Sequence, residues 1–318
     1  MMLSSLLLGI FTFVQLNCEN LFDCRHDTLK QDTEFLPEGS RHWTRGRYWR
    51  KLDNISRGIV ACGMDGREWT LPDMVALCEV ENDSVMHDLT RRSLLRGAGY
   101  EYVMTCSPDV RGIDVALMYS PFSFALINHF PIRIKPLKGM RPTRDILYVS
   151  GRVVTGDTLH VFVVHAPSRY GGEKATRPYR MLVAERLGMA VDSLRRLSHE
   201  PNIIVAGDFN DEAADKALVM LQDMGLADVS AGASGRNGAR GTYKYRGRWS
   251  SIDHILISKS VKKWFKDCTV NDEKFLVEDD ERYGGIRPKR CYTGYKYVGG
   301  YSDHLPLRAR FVLLKDTE

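Results

Sequence analysis

The stretch Ile203-Ile204-Val205-Ala206-Gly207-Asp208-Phe209-Asn210 joins a short apolar run directly to polar side chains. Runs of this length and β-branched content predict a strand buried on both faces. Asp208 and Asn210 follow where that strand is predicted to reach solvent. Residues two apart on an extended segment point to the same side, so the two side chains are predicted to act together. By itself the pattern is equally typical of a turn, because Asp and Asn readily start turns.

Similar apolar runs recur along the chain and predict further strands. They are Phe11–Leu16, Met74–Leu77, Val115–Tyr119, Leu147–Val154, Leu159–Val164, Ile252–Ile257 and Leu307–Val312. Apolar residues at helical spacing predict helices between them, over Trp49–Cys62, Ser84–Arg96 and Glu173–Leu197. Strands mixed with helices indicate an α/β or α+β fold. No repeat or low-complexity linker divides the chain, so a single domain over residues 10–315 is expected.

Several other predicted strands also end in acids, amides or histidines. Asn17 follows the run Phe11–Leu16, Glu79 comes after the run Met74–Leu77, and His165 follows the run Leu159–Val164. Asp253 and the Asp303-His304 pair lie nearer the C-terminus. Carboxylate and amide oxygens suit magnesium or manganese, and imidazoles transfer protons near neutral pH. Helix capping and solvation explain one such strand end more easily than five or six together.

Composition limits the alternatives only loosely. The net charge of +5 and the pI near 8.7 suit an anionic substrate without demonstrating one. Seven scattered cysteines, an odd number, argue against a complete disulfide framework. The apolar N-terminus is too short for a membrane span, and no stable membrane insertion is expected. Residues 1–9 resemble the end of a signal peptide, so both a cytoplasmic and an exported location remain open.

The order of these motifs carries a family resemblance. Asn17, Leu77-Cys78-Glu79-Val80, Val164-His165-Ala166-Pro167, Gly207-Asp208-Phe209-Asn210, Ile252-Asp253-His254 and Ser302-Asp303-His304-Leu305-Pro306 resemble the endonuclease/exonuclease/phosphatase superfamily. G-D-F-N followed at a distance by S-D-H-x-P is a specific combination, although each motif alone is weak. The resemblance extends from about Phe11 to Phe311. It implies a four-layered α/β sandwich, in which helices flank two packed, mostly antiparallel sheets. It also implies metal-dependent hydrolysis of a phosphate ester.

The resemblance also implies roles for the acidic and amide residues. Glu79 would be the main ligand of a Mg²⁺ or Mn²⁺ ion, with Asn17 close by and Asp303 on the metal side. Asp208 would orient or deprotonate the attacking water, or hold a second metal ion. Asn210 would donate a hydrogen bond to a non-bridging phosphate oxygen.

The histidines and one arginine complete the set implied by the resemblance. Asp253 would orient His304, which would act as general base or as a charged phosphate contact. The choice between His304 and Asp208 as proton acceptor stays open. His165 would be the general acid for the leaving group. Asp114 could orient His165, and Arg111 could bind the phosphate with its planar guanidinium. A solvated loop charge is an equally good interpretation of Arg111.

The substrate is less well defined than the chemistry. A nuclease-like phosphodiesterase is the first expectation, because basic and aromatic residues are mixed in Arg41–Lys51, Thr242–Trp249 and Arg287–Lys296. Solvated tyrosine-rich loops would look the same. A phosphatase or phosphodiesterase for a small molecule or lipid headgroup, of inositol phosphate or sphingomyelin type, is the alternative. The intact acid, amide and histidine set disfavours a catalytically silent binding protein. A monomer with a phosphate-ester substrate is expected, and nucleic acid is the first candidate partner.

Overall fold

A computed structural model describes residues 5–66 and 68–316 of the chain. Of the apolar segment 1–9, residues 1–4 lie outside the described residues, and residues 5–9 begin the first strand. Across the described ranges, no helix is both long and apolar enough to cross a membrane.

The helices of the described ranges are α1 (Arg45–Ala61), α2 (Asp83–Arg91), α3 (Glu173–Leu197), α4 (Lys216–Asp223), α5 (Lys259–Lys262) and a 3₁₀ turn at Thr33–Phe35. The strands there are β1 (Ser5–Leu21), β2 (Met64–Asp65), β3 (Glu68–Trp69), β4 (Met74–Val80), β5 (Glu101–Met104), β6 (Asp114–Tyr119), β7 (Phe124–Ile132), β8 (Ile146–Val153), β9 (Thr158–His165), β10 (Asn202–Asp208), β11 (Leu226–Asp228), β12 (Tyr243–Tyr245), β13 (Arg248–Ser250), β14 (Asp253–Ser258), β15 (Phe265–Val270), β16 (Val277–Asp279), β17 (Ile286–Pro288), β18 (Tyr292–Thr293), β19 (Lys296–Tyr297) and β20 (Leu307–Asp316).

Most of the long strands form two six-stranded sheets. The first has the order β15-β20-β1-β4-β6-β5, and the second has the order β11-β14-β10-β9-β8-β7. Each sheet contains one parallel pair near its centre, β1 with β4 and β10 with β9, and its other pairs are antiparallel. The expected pair of mostly antiparallel sheets is therefore confirmed.

Successive side chains of the central strands point alternately into two different layers of the hydrophobic core. Ile204 and Ala206 of β10 pack with residues of both sheets, whereas Ile203 and Val205 pack with apolar residues of α3 and α4. On the first sheet, Val75 and Leu77 of β4 likewise face the layer that contains α1 and α2. Because successive side chains of a strand point to opposite faces, each sheet is covered on both sides. The result is the expected four-layered α/β sandwich.

Most predicted elements are present, and the differences have local causes. All eight apolar runs lie largely within strands, and α3 spans the predicted residues. Helix α2 ends at Arg91 instead of Arg96, because the Ser93 hydroxyl donates to the Leu89 carbonyl and accepts from the Leu95 amide. The predicted loop 272–300 contains the short strands β16 to β19.

Candidate active site

Strand register brings the predicted site residues of the second sheet together. Asp208 of β10 is the direct partner of His165 on β9 and of Asp253 on β14. Residues at one register position of a sheet share a face, so the three side chains form a row. In the first sheet, Asn17 pairs with Cys78, the residue before Glu79. The Cys78 thiol lies 3.3 Å from the Val164 carbonyl oxygen, which joins the two sheets beneath the site.

Gly207 permits the close approach of β9 and β10 at this row. Its φ is +153°, and a Cβ there would lie 1.8 Å from the Val164 carbonyl oxygen. Any side chain would therefore push the two strands apart. The glycine before Asp208 is a requirement of packing, and it fixes the position of the carboxylate that follows.

Four non-glycine residues around the row have left-handed backbone conformations. Glu19, Asn20, Glu79 and Asn210 have φ values of 50°, 56°, 63° and 52°. Such residues are uncommon and occur preferentially at functional sites. The Asn20 amide donates to Glu79 Oε2 at 2.8 Å, which supports one of these turns.

The conformation of Asn210 corrects one expectation. Strand β10 ends at Asp208, and Asn210 is not extended. The Asn210 backbone amide instead donates to Asp208 Oδ1 at 2.9 Å, as in a turn. The side-chain Nδ2 donates to the Ala166 carbonyl at 3.1 Å, so its second N–H remains for the predicted phosphate contact.

Asp208 is the centre of the arrangement. Its Oδ2 accepts a hydrogen bond from Asn17 Nδ2 at 3.0 Å, and it lies 3.7 Å from His165 Nε2 and 3.9 Å from His304 Nε2. Burial, followed by the charge of the Asp253 carboxylate, raises the pKa of Asp208 to about 7. A carboxylate with that pKa can accept a proton near neutral pH.

Asp253 and His304 form a buried pair. The Nδ1 of His304 donates to Asp253 Oδ2 at 2.7 Å. Asp253 also accepts from Gln15 Nε2 at 3.0 Å and from the Thr242 hydroxyl. Burial alone would lower the pKa of His304, but Asp253 and then Asp208 raise it well above its usual value. The imidazolium form of His304 is therefore favoured.

His165 has the opposite electrostatic environment. Its Nε2 lies 3.8 Å from Glu79 Oε1, and within the described residues its buried Nδ1 has no hydrogen-bond partner. Burial, followed by the charges of Arg144 and Arg111, holds the pKa of His165 well below its usual value. Two histidines on either side of Asp208 thus favour different protonation states.

The predicted contact between Asp114 and His165 is wrong. Asp114 accepts hydrogen bonds from the Thr105 hydroxyl and from the amide and hydroxyl of Ser107. Thr105 and Ser107 lie in the segment just after β5, the strand that pairs with β6, and Asp114 is the first residue of β6. Local partners satisfy this carboxylate, so it does not orient His165.

Arg111 lies at the rim of the row. Its Nη2 is 4.0 Å from Glu79 Oε2 and also donates to Asn20 Oδ1, and its side chain is 45% exposed. An arginine so placed can reach both solvent and the acidic centre. Its phosphate contact stays a prediction.

Sequence reasoning missed several neighbours of the site. Gln15 and Thr242 hold Asp253, while Glu19 and Arg290 lie near Asp303. Burial, followed by the charge of Asp303, raises the pKa of Glu19 to about 7. Glu19 had a signal, because it follows a predicted strand. Gln15 had none, since it lies inside an apolar run.

The donor set fits a divalent cation. Ligand atoms of Asp208, Asp253 and His304 lie within 4.8 Å of one another. Because Asp253 and His304 bond to each other, the more available oxygen donors are those of Glu79, Asp208 and Asp303. Hard oxygen ligands of this kind suit Mg²⁺ or Mn²⁺. A cation there would offset the two causes that raise the pKa of Asp208, which are its burial and then the Asp253 charge.

A family model described as "Endonuclease/Exonuclease/phosphatase family" matches residues 12–313. The chain belongs to this family. It is therefore a phosphoesterase, a hydrolase of phosphate ester bonds, and members of the family typically depend on a metal ion. A search of curated proteins found no match.

Solved structures of the family share the fold with this chain. A mannosyl-6-phosphatase from Bacteroides thetaiotaomicron is 18% identical, with a TM-score of 0.62 over 95% of this chain and 100% of the other. Truncated TDP2 from Caenorhabditis elegans is 16% identical, with a TM-score of 0.58 over 96% and 98%. The human Nocturnin catalytic domain with bound sulfate is 17% identical, with a TM-score of 0.57 over 97% and 96%. At these identities the likeness establishes the fold alone.

Proposed function

We propose that this chain hydrolyses a phosphate ester with the help of Mg²⁺ or Mn²⁺. The supporting observation is the position of Asp208 between two histidines of opposite charge preference. Glu79, Asn17 and Asp303 would hold the ion, which when bound supplies positive charge to the phosphate and the leaving oxygen.

The protein groups then have separate tasks. Asp208, with a pKa of about 7, accepts the proton of the attacking water. His304, held as imidazolium by Asp253, contacts a phosphate oxygen as a positive charge. Neutral His165 directs its Nε2 towards Glu79 and Asp208, and it can donate a hydrogen bond to the leaving oxygen. Asn210 and Arg111 would complete the phosphate contacts.

The decisive variant is Asp208→Asn, assayed on p-nitrophenyl phosphate and bis(p-nitrophenyl) phosphate with Mg²⁺, Mn²⁺ or EDTA. Loss of the proton acceptor should lower kcat/KM by roughly 10²–10⁴-fold. Asp192→Asn, on the exposed face of α3, is the matched control and should leave activity unchanged. Full activity of Asp208→Asn, or full activity in EDTA, would contradict the proposed mechanism.

Several basic side chains that were predicted to contact nucleic acid have other partners in the structure. The side chain of Lys51 is 0% exposed, and Lys244 is 2.9 Å from Asp280. Arg41 lies over the rings of Tyr292 and Tyr295. These three basic side chains of the segments predicted to meet nucleic acid therefore have partners within the protein.

A small phosphate ester is the substrate class that we favour over nucleic acid. The mannosyl-6-phosphatase among the similar structures is in line with it. A panel of plasmid DNA, RNA, sugar phosphates, inositol phosphates and sphingomyelin decides between the classes. Preferential cleavage of DNA, with an affinity that falls steeply with salt, would restore the nuclease-like phosphodiesterase.

A further inference from the structure

The segment after β9 braces the turn that carries Asp208 and Asn210 at the end of β10. The Ala166 amide donates to the Asp208 carbonyl at 2.8 Å, and Asn210 Nδ2 donates to the Ala166 carbonyl at 3.1 Å. A further bond comes from Arg169, whose Nε donates to the Asn210 carbonyl at 2.7 Å. This last bond is made by a side chain that lies outside the predicted set of site residues.

The backbone of Asn210 needs such support. Its φ of 52° lies in the left-handed region, which residues other than glycine keep only where the surrounding structure enforces it. The Asn210 amide donates to Asp208 Oδ1 at 2.9 Å, so rotation of the turn would move both the Asn210 side chain and the Asp208 carboxylate. The bond from Arg169 fixes the peptide group on the other side of Asn210.

Arg169 is itself held in one orientation by two carboxylates. Its Nη2 donates to Asp215 Oδ2 at 2.9 Å, and its Nη1 donates to Glu173 Oε2 at 3.4 Å. A planar guanidinium has donors in several fixed directions, so it can bridge a carbonyl and two carboxylates at once. The Arg169 side chain is 32% exposed, so a substitution there does not open the hydrophobic core.

We propose that Arg169 is a positioning residue of the active site, which acts through the Asn210 carbonyl. By holding the turn, it would keep the Asn210 amide group directed at the phosphate and the Asp208 carboxylate directed at the attacking water. This inference rests on the proposed function, which assigns those two tasks to Asn210 and Asp208. Arg169 performs this role without contact with the substrate.

Two variants of Arg169 separate the carbonyl bond from the ion pairs. Glutamine Nε2 is the same number of bonds from Cα as arginine Nε, so Arg169→Gln can keep the donor to Asn210 while it loses both ion pairs. Arg169→Met removes every donor. Because a small misplacement of reacting groups is costly, Arg169→Met should lower kcat/KM for the p-nitrophenyl phosphate esters roughly 10–100-fold. Arg169→Gln should stay within roughly threefold of the wild type.

The matched control is Arg177→Met. Arg177 also bonds to Glu173, through its Nη2 at 3.3 Å, and it belongs to α3. This variant removes the same charge from the same neighbourhood and leaves the Asn210 carbonyl bond intact. Its kcat/KM should equal that of the wild type.

A double-mutant cycle tests whether Arg169 acts through Asn210. If it does, the loss caused by Arg169→Met should be at least roughly threefold smaller in an Asn210→Ala background than in the wild type. Equal losses in the two backgrounds would show that Arg169 acts independently and would overturn the proposal. Failure of Arg169→Gln to recover activity lost in Arg169→Met would overturn it as well.

Hydrogen exchange followed by mass spectrometry examines the same turn without turnover. A peptide that covers residues 207–212 should exchange faster in Arg169→Met than in the wild type, and Arg169→Gln should restore its protection. Unchanged exchange in Arg169→Met overturns the inference even if activity falls. If the wild type hydrolyses neither p-nitrophenyl phosphate nor bis(p-nitrophenyl) phosphate, the proposed function fails, and the exchange result still decides whether Arg169 holds the turn.

Discussion

Replacement of Asp253 by asparagine isolates the charge that supports His304. Asp253 Oδ2 accepts from His304 Nδ1 at 2.7 Å, and Oδ1 accepts from Gln15 Nε2 at 3.0 Å. An asparagine oxygen can keep the His304 bond, while its new amide N–H would face Gln15. Within the described residues, Gln15 Oε1 is buried without a partner, so rotation of the Gln15 amide can satisfy that new donor. We therefore expect the geometry to survive and the charge to be lost.

The magnitude follows from two contributions of the Asp253 charge. Asp253 opposes the burial that lowers the pKa of His304, so Asp253→Asn should lower this pKa and reduce the imidazolium fraction near neutral pH. Removal of a charged hydrogen-bond acceptor should destabilise the fold by about 1.5–3 kcal/mol. The loss of a correctly protonated catalytic group should lower kcat/KM by roughly 10²–10⁴-fold.

Three measurements check this expectation: the pH profile of kcat/KM, an NMR titration of the His304 ring, and chemical denaturation. The control is Asp228→Asn. His254 and Asp228 also form a buried pair at 2.7 Å, but His254 faces the other side of the strand that begins at Asp253. Asp228→Asn should have a lower free energy of unfolding than the wild type and an unchanged kcat/KM. An unchanged kcat/KM for Asp253→Asn, or an equal loss in Asp228→Asn, would refute the role of Asp253.

Three further predictions concern the surroundings of this pair. His165→Gln should slow hydrolysis of an alkyl phosphate more than that of p-nitrophenyl phosphate, because a poor leaving group depends more on a hydrogen-bond donor; equal losses in parallel kinetics would speak against this role. Gly207→Ala should lower the free energy of unfolding by more than roughly 3 kcal/mol, because its Cβ meets the Val164 carbonyl oxygen, and urea denaturation would measure this loss. The pKa of His254 is raised from 6.5, and the pKa of Asp228 is lowered from 3.8. The His254–Asp228 pair therefore stabilises the fold fully between pH 3.8 and pH 6.5. This stabilisation is lost as pH rises through the folded pKa of His254 or falls through the folded pKa of Asp228. The stability difference between wild type and Asp228→Asn should therefore shrink on both sides of that window, and a difference independent of pH would contradict it.

The sequence predicted the features that depend on local periodicity. The run Ile203–Ala206 alternates between two core layers, and its apolar character marked it as a strand buried on both faces. Apolar residues recur at helical spacing along the whole of helix α3, which spans the predicted residues. Motif order along the chain also indicated Asp208, Asp253 and His304 as members of one site, and the structure places their ligand atoms close together.

Tertiary structure decided which groups touch and which are charged. Asp114 follows a conspicuous arginine in sequence, but residues just after the neighbouring strand β5 satisfy its carboxylate. Gln15 lies 238 residues from Asp253 along the chain and bonds to it. The basic side chain of Lys51, predicted to meet nucleic acid, is buried in packing. Burial and distant charges set the pKa of each histidine, and these depend on distances in space that no local pattern of residues encodes.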